Sequence, residues 1–272
     1  MSRIGIVGGM GPAATVDFMG KLVALTPATC DQEHLPVVVA NLPHIPDRSR
    51  AILGEGDDPL PWMLKSIELL NDAGVGLVVV PCNTSHHWFD DMARASRAPM
   101  LHIARACVAA LPPGEVTRVM LLATRGAIRS GFYQRELAER GLTCLAPDPA
   151  GAQASVDACI RAVKAGDVAL GGTHLAAALA DAQARGAQAV IMGCTEIPVA
   201  AAQIKDPGLL LVDSSLELAR QAVRHALFLG WNRAPWVDRS DPVRDAVAPA
   251  APAANLHAAA APPHALVAPT QS

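Results

Sequence analysis

The sequence predicts an α/β protein built from two similar β-α-β halves, and three observations carry that reading. Two aliphatic runs, Leu77-Val78-Val79-Val80 and Ala189-Val190-Ile191-Met192, each lead into a cysteine motif, Pro81-Cys82-Asn83-Thr84 and Gly193-Cys194-Thr195-Glu196. Between them Pro112-Pro113-Gly114 interrupts the chain, and beyond it the pattern of strands and helices restarts. The spacing repeats as well: 79 residues separate Arg3 from Cys82, and 76 separate Arg118 from Cys194. A strand ending in such a motif holds its thiol at the C-terminal edge of the sheet, where open α/β sheets bind ligands. The pair therefore points to one reaction centre assembled from both halves.

Arg3 to Val7 is a short apolar strand running straight into Gly8-Gly9-Met10-Gly11-Pro12. Glycines let the backbone turn sharply there and approach a ligand, while Pro12 suits the first position of a helix. Helix N–H groups aimed at that turn make an anion site. The motif is not the GxGxxG of dinucleotide folds, because the third glycine is missing and no acidic residue closes a second strand near Asn41. Ala13 to Thr26 reads as a helix ended by Pro27. Val37 to Ala40 reads as a second buried strand, followed by a long loop from Leu42 to Pro59. In that loop Pro46 and Asp47 fix a bend that brings Arg48 to the same sheet edge as Met10. Apolar spacing makes Leu60 to Ala73 helical. The strand that delivers Cys82 follows, then a helix from His86 to Arg97, a short strand from Met100 to His102, and a helix to about Leu111.

In the second half, Arg118 to Leu122 is a strand, and Ala123-Thr124-Arg125-Gly126 takes the place that the glycine turn holds in the first. A helix over Phe132 to Arg140, a strand over Leu142 to Leu145, and helices over Ser155 to Lys164 and His174 to Arg185 precede the strand leading to Cys194. Strand Leu209 to Val212 and helix Ser214 to Leu229 complete the pattern, with Asp213 or Ser214 as the cap. Residues 1–112 and 113–212 are thus read as two α/β domains, with the helix at 213–230 packing back on the first. Residues 231–272 are read as a disordered tail, because from Ala234 onward 20 of 39 residues are Ala or Pro.

Composition narrows the function classes. A formal net charge of -3 without a clustered Lys/Arg run argues against a nucleic-acid or anionic-membrane surface. No apolar run approaches the roughly 20 residues that span a bilayer. With the first strand starting by Ile4 there is no room for a signal peptide, so a cytoplasmic location is expected. The six cysteines form no CxxC pair and no metal-like spacing with His, so no metal is expected. Cys107, Cys144 and Cys159 read as small buried hydrophobes, and Cys30 as a loop or surface residue.

Cys82 and Cys194 read differently. A thiol at a strand-to-helix junction feels the positive end of the helix dipole, which favours the thiolate. A single cysteine nucleophile usually needs a histidine base. His86 could serve Cys82, but nothing comparable accompanies Cys194. Two equivalent thiols suit a different chemistry, in which one removes a proton as thiolate while the other donates a proton from the opposite face. Such an exchange inverts a carbon centre.

Gly8-Gly9-Met10-Gly11-Pro12, Asp31-Gln32-Glu33-His34-Leu35-Pro36, Ile45-Pro46-Asp47-Arg48, Pro81-Cys82-Asn83-Thr84-Ser85-His86 and Gly193-Cys194-Thr195-Glu196-Ile197-Pro198 together resemble the cofactor-independent aspartate/glutamate racemase family over about residues 3 to 230. The likeness is greatest to the aspartate racemase branch, since glutamate racemases tend to carry His where Glu196 stands. The resemblance implies two pseudo-symmetric Rossmann-like three-layer α/β domains with the active site in the cleft between them, commonly as a homodimer, without pyridoxal phosphate or another cofactor. It implies that Cys82 and Cys194 are the catalytic acid and base, that Met10 binds substrate through its backbone, and that Asn83, Thr84 and Thr195 hold the α-carboxylate. Arg48 matches the residue that holds the distal carboxylate of aspartate, Lys164 a second cationic contact, and Thr124 a loop threonine near the substrate. The expected partner is an acidic amino acid. Glutamate, broad-range amino-acid or hydantoin racemisation are the alternatives, with an arylmalonate decarboxylase-like lyase and a non-catalytic amino-acid-binding module further off.

Overall fold

The computed structural model describes residues 2–233, so the Ala/Pro-rich segment read as disordered lies, from Ala234 on, outside the described residues. Among the described residues seven parallel strands form two sheets flanked by helices. The first sheet takes β1 (Ile4–Gly8), β2 (Val37–Asn41) and β3 (Leu77–Val79) in the order β2-β1-β3. The second takes β4 (Arg118–Ala123), β5 (Thr143–Leu145), β6 (Ala189–Gly193) and β7 (Leu210–Asp213) in the order β5-β4-β6-β7. In each sheet the strand bearing a cysteine motif pairs directly with the first strand of its own half, β3 with β1 and β6 with β4. The two thiols therefore leave their sheets at the same kind of edge.

The helices of the described residues are α1 (Pro12–Leu25), α2 (Arg48–Leu53), α3 (Leu60–Asp72), α4 (Phe89–Ala95), α5 (Ile103–Ala110), α6 (Arg125–Ser130), α7 (Phe132–Ala138), α8 (Ala152–Lys164), α9 (Val168–Ala184), α10 (Glu196–Ala201) and, after the last strand, α11 (Ser214–Phe228). Side chains alternate across a strand, and here the alternation sorts them into distinct cores. Ile4 and Ile6, Leu77 and Val79, Leu121 and Ala123, and Ala189 and Ile191 all point into one buried cluster, filled by Phe18 and Leu22 of α1, Ile103 and Cys107 of α5, Tyr133 of α7 and Leu218 of α11. The opposite faces pack separately. Val7, Val78 and Val80 lie against Met63, Ile67 and Leu70 of α3. Met120, Leu122, Val190 and Met192 lie against Val156, Leu175 and Leu179 of α8 and α9. Each sheet is thus the middle of three layers, and one cluster joins the two halves.

Helix α11 lies on α1 and α5 of the first half. Asp213 is its cap, accepting from Ser215 N at 2.9 Å and Leu216 N at 3.1 Å. The same carboxylate takes Lys21 Nζ of α1 at 2.9 Å. Trp231, counted with the tail on composition, packs against the shared core beside Gly76.

Local differences from the expected elements have local causes. The loop from Leu42 to Pro59 contains α2, because Asp47 Oδ1 accepts from Arg50 N at 2.8 Å and caps a short helix. The expected helix from His86 to Arg97 is instead a 3-10 turn, Thr84–Trp88, followed by α4. The expected strand from Met100 to His102 is only a single parallel bridge, Val78 to Met100.

Candidate active site

The glycine turn after β1 is held by Thr15, whose Oγ1 accepts from Gly9 N at 3.0 Å and donates to Gly11 O at 3.2 Å. Gly9 sits at φ 91°, and a Cβ there would lie 2.4 Å from the Leu42 backbone, so the position requires glycine. Next to it Met10 is buried and turned to the cleft.

Arg48 opens α2, and its Nη1 donates to Ile45 O at 3.1 Å and Pro46 O at 3.0 Å. Those bonds tie the guanidinium to its own turn, while its Nε is buried without a partner among the described residues. Helix α2 also touches the other half. A Cβ on Gly126 of α6 would lie 2.7 Å from Ser49 Cα, so the arginine-bearing helix rests against the turn after β4. Thr124 in that turn caps α6 through Ala127 N at 3.2 Å and shares a hydrogen bond of 2.9 Å with Thr84.

Beyond β3, the Cys82 carbonyl accepts from Ser85 Oγ at 2.7 Å and His86 Nδ1 at 2.9 Å. His86 Nε2 accepts from Ile103 N at 3.1 Å, which places the ring proton on Nδ1. Both ring nitrogens are committed to backbone, so His86 fixes the turn and is not a base for the Cys82 thiol. Burial pushes its pKa down to about 4 and that of the neighbouring buried His102 to about 2. Unfolded histidine titrates near its ordinary value, so below it the unfolded chain takes up protons that the folded chain refuses. Stability should then be full at neutral pH and fall as pH drops from about 6.5 toward 4, with His86 alone contributing a loss of about 3 kcal/mol. Urea unfolding midpoints at pH 7, 5.5 and 4.5 check this, and His86→Asn should flatten the profile.

Asn83 is buried and held at both ends. Its Oδ1 accepts from Tyr133 OH, and its Nδ2 donates to Ser214 Oγ at 2.9 Å, which in turn donates to Met192 O at 2.8 Å. One Nδ2–H is left uncommitted. The chain of bonds links the segment after β3 to β6, the strand that ends at Cys194.

At that strand end the Cys194 thiol donates to Glu196 Oε2 at 2.9 Å, and Thr195 Oγ1 donates to the same oxygen at 3.2 Å. Lys164, on the last turn of α8, lies 3.9 Å from Glu196 Oε1. The expectation of a helix-lowered thiol pKa fails at Cys194. Burial first, and then the Glu196 carboxylate, push it well above the ordinary thiol value. The helix does little to offset this burial: α10 has only six residues and carries Glu196 in its first turn, so a full negative charge stands where the dipole's positive end would act. Nor does an α-helix start directly after Cys82, where the chain makes the 3-10 turn. The remaining cysteines are placed much as expected: Cys107 and Cys159 are buried, Cys144 is partly buried, and Cys30 is exposed.

Met10, Arg48, Cys82, Asn83, Thr84, Thr124, Lys164, Cys194 and Thr195, the nine residues singled out in the sequence, line one cleft of about 460 Å³ counted to its open mouth. Asp47, Ser49 and Glu196 complete the lining. Of these three, Asp47 and Glu196 already stand in the sequence motifs, Asp47 as the turn residue before Arg48 and Glu196 two positions after Cys194, while Ser49 has no such signal. Among the described residues no cluster of His, Cys, Asp and Glu is arranged to hold a metal ion, and no helix is long and apolar enough to cross a membrane.

Two parallel sheets each deliver a cysteine to one cleft with two cations in its wall, and the likeness to known racemases makes the protein an α/β isomerase of the racemase type. The family model described as Asp/Glu/Hydantoin racemase matches residues 7–222, and the chain belongs to that family. A broad specificity amino-acid racemase of Bacillus subtilis is 26% identical over 224 residues, which are 81% of this chain and 96% of that protein. Among solved structures, Picrophilus torridus aspartate racemase superposes with a TM-score of 0.73 at 29% identity, covering 83% of this chain and 94% of its own. Glutamate racemase from Francisella tularensis, in complex with D-glutamate, shares the fold, with a TM-score of 0.64 at 19% identity over 86% of this chain and 84% of its own.

Proposed function

We propose that the chain interconverts L- and D-aspartate by exchange of the α-proton between two cysteines. The observation that carries this reading is the convergence of Cys82, Cys194, Arg48 and Lys164 on one cleft. One cysteine, as thiolate, takes the α-hydrogen as a proton from one face. The other gives its thiol proton to the opposite face. The carbon is inverted, no electrons are gained or lost, and each thiol ends in the other's protonation state. The opposite enantiomer runs the same step with the roles exchanged.

The difficulty is the weak acidity of that hydrogen, and contacts that tighten as negative charge spreads into the α-carboxylate contribute most to the rate. Thr84, Thr195, the free Nδ2–H of Asn83 and the Met10 backbone hold that carboxylate. Arg48 and Lys164 hold the distal one, since a guanidinium fork suits a carboxylate. On this reading residues 1–112 and 113–212 are the two domains, and the enzyme is a cytoplasmic homodimer needing no cofactor. Broad specificity is the second reading, favoured by the likeness to the Bacillus subtilis racemase.

Incubation with L-aspartate in heavy water tests the proposal. Deuterium should enter at the α-carbon and both enantiomers should accumulate. Absence of exchange would leave a binding protein, and loss of a carboxylate without the other enantiomer would indicate a lyase.

A further inference from the structure

We propose that Glu196 makes the two thiols unequal, holding Cys194 protonated between turnovers and thereby assigning Cys82 the part of resting base. This rests on the two-thiol reading above, and it adds an order to the proton transfers. The geometry is specific. Glu196 Oε2 accepts from the Cys194 thiol at 2.9 Å and from Thr195 Oγ1 at 3.2 Å, so the carboxylate is aimed at the sulfur by a second hydrogen bond. Among the described residues the Cys82 thiol has no hydrogen-bonded carboxylate; the polar contacts of that segment go to its carbonyl instead.

The charged and titratable groups around Cys194 set the balance. Lys164 of α8 is 3.9 Å from Glu196 Oε1 but more than half exposed, so it offsets the carboxylate only in part. Cys159, on the same helix, is a buried thiol pushed up to about 11 and adds no charge near neutrality. Arg48 and Asp47 line the cleft as well. Burial and the carboxylate both disfavour a thiolate at Cys194, so the resting proton stays there.

The consequence for turnover follows from proton balance. In the first step the Cys82 thiolate takes the α-proton, and the Cys194 S–H bond breaks as its proton joins the carbon from the opposite face. The enzyme is left with a Cys82 thiol and a Cys194 thiolate beside the Glu196 carboxylate. That state is raised by like-charge repulsion. It relaxes when Cys194 takes a proton from water and Cys82 releases one, or when the other enantiomer reverses the step. Glu196 is thus a positioning residue that favours one of two otherwise equivalent enzyme forms.

The test needs no substrate. The rate of iodoacetamide alkylation of Cys82 and Cys194 is followed against pH in the full chain by peptide mass spectrometry, with Cys107 as a buried internal control. In the parent protein the midpoint for Cys194 should lie above that for Cys82. Glu196→Gln should lower the Cys194 midpoint by about one pH unit or more and leave Cys82 in place. Lys164→Met should move the Cys194 midpoint the other way, which keeps the test open if Glu196→Gln misfolds and exposes Cys107. An unmoved Cys194 midpoint in both variants, or equal movement of both thiols, would overturn the proposal. With aspartate, kcat/KM must stay equal in the two directions because the enantiomers are equal in free energy. Glu196→Gln should therefore change the ratio of forward to reverse kcat, with KM compensating. Shifted alkylation without any α-deuteration would sink the racemase reading and leave the Glu196 pairing standing.

Discussion

Alanine at Cys82, or alanine at Cys194, is expected to abolish racemisation of aspartate while aspartate still binds. Each thiol supplies one of two proton transfers that must occur on opposite faces of the same carbon, and nothing else in the cleft can replace it. His86, whose ring bonds the Cys82 carbonyl, has both ring nitrogens tied to backbone. Glu196 lines the cleft, but its Oε2 is engaged by hydrogen bonds from the Cys194 thiol and Thr195 Oγ1. A single acid or base group is worth about 10² to 10⁴ in rate. Residues acting as a unit lose nearly everything with the first removal. Racemisation in either single variant should therefore fall by at least about a thousandfold, and the double variant should be hardly worse. Calorimetric titration with aspartate should give a dissociation constant close to the parent's, because the carboxylate contacts belong to other residues. Both thiols are small and their carbonyl and strand contacts remain, so thermal unfolding should change little. Parent-like racemisation by either variant would end the two-thiol account.

The strands were legible as short aliphatic runs bounded by turn residues, such as Leu77 to Val80 and Ala189 to Met192, which is how strands buried on both faces read. The structure then puts their alternate side chains into different cores, Ala189 and Ile191 in one and Val190 and Met192 in another. The cleft was legible for the same kind of reason. Most site residues stand within a few positions of a strand's C-terminal end, and parallel sheets bring such ends to one edge. What escaped depends on contacts between distant segments. The bonds that hold the Asn83 amide at the cleft come from Tyr133 and Ser214, 50 and 131 residues along the chain, and no local pattern announces them. The segment from Leu42 to Pro59 reads as loop because the only local signal for α2 is the Asp47 cap. The acidity of the Cys194 thiol escapes the sequence because it depends first on burial, which only the fold sets, and then on the Glu196 carboxylate in the first turn of the short helix that follows; both push the thiol up.

Arg48→Ala is expected to act on the choice of substrate rather than on the chemistry. Two of the guanidinium's bonds go to Ile45 O and Pro46 O, which fix it in the cleft wall, and its buried Nε has no partner among the described residues. A distal carboxylate would pair with the remaining donors. Hydrogen bonds to charged groups contribute about 1.5 to 3 kcal/mol. At about 1.4 kcal/mol per tenfold, the KM for aspartate should rise by roughly 10- to 100-fold. An uncharged amino acid such as alanine makes no use of the fork, so its kinetic constants should move far less. Arg48→Lys should fall between, because an ammonium keeps the charge but not the planar two-point geometry. The α-carboxylate contacts and both thiols are untouched, so kcat for aspartate should drop by a smaller factor than kcat/KM. Equal losses for aspartate and alanine would remove Arg48 from substrate selection. The broad-specificity reading would then be preferred, with Lys164 and the turn at Met10 as the remaining determinants.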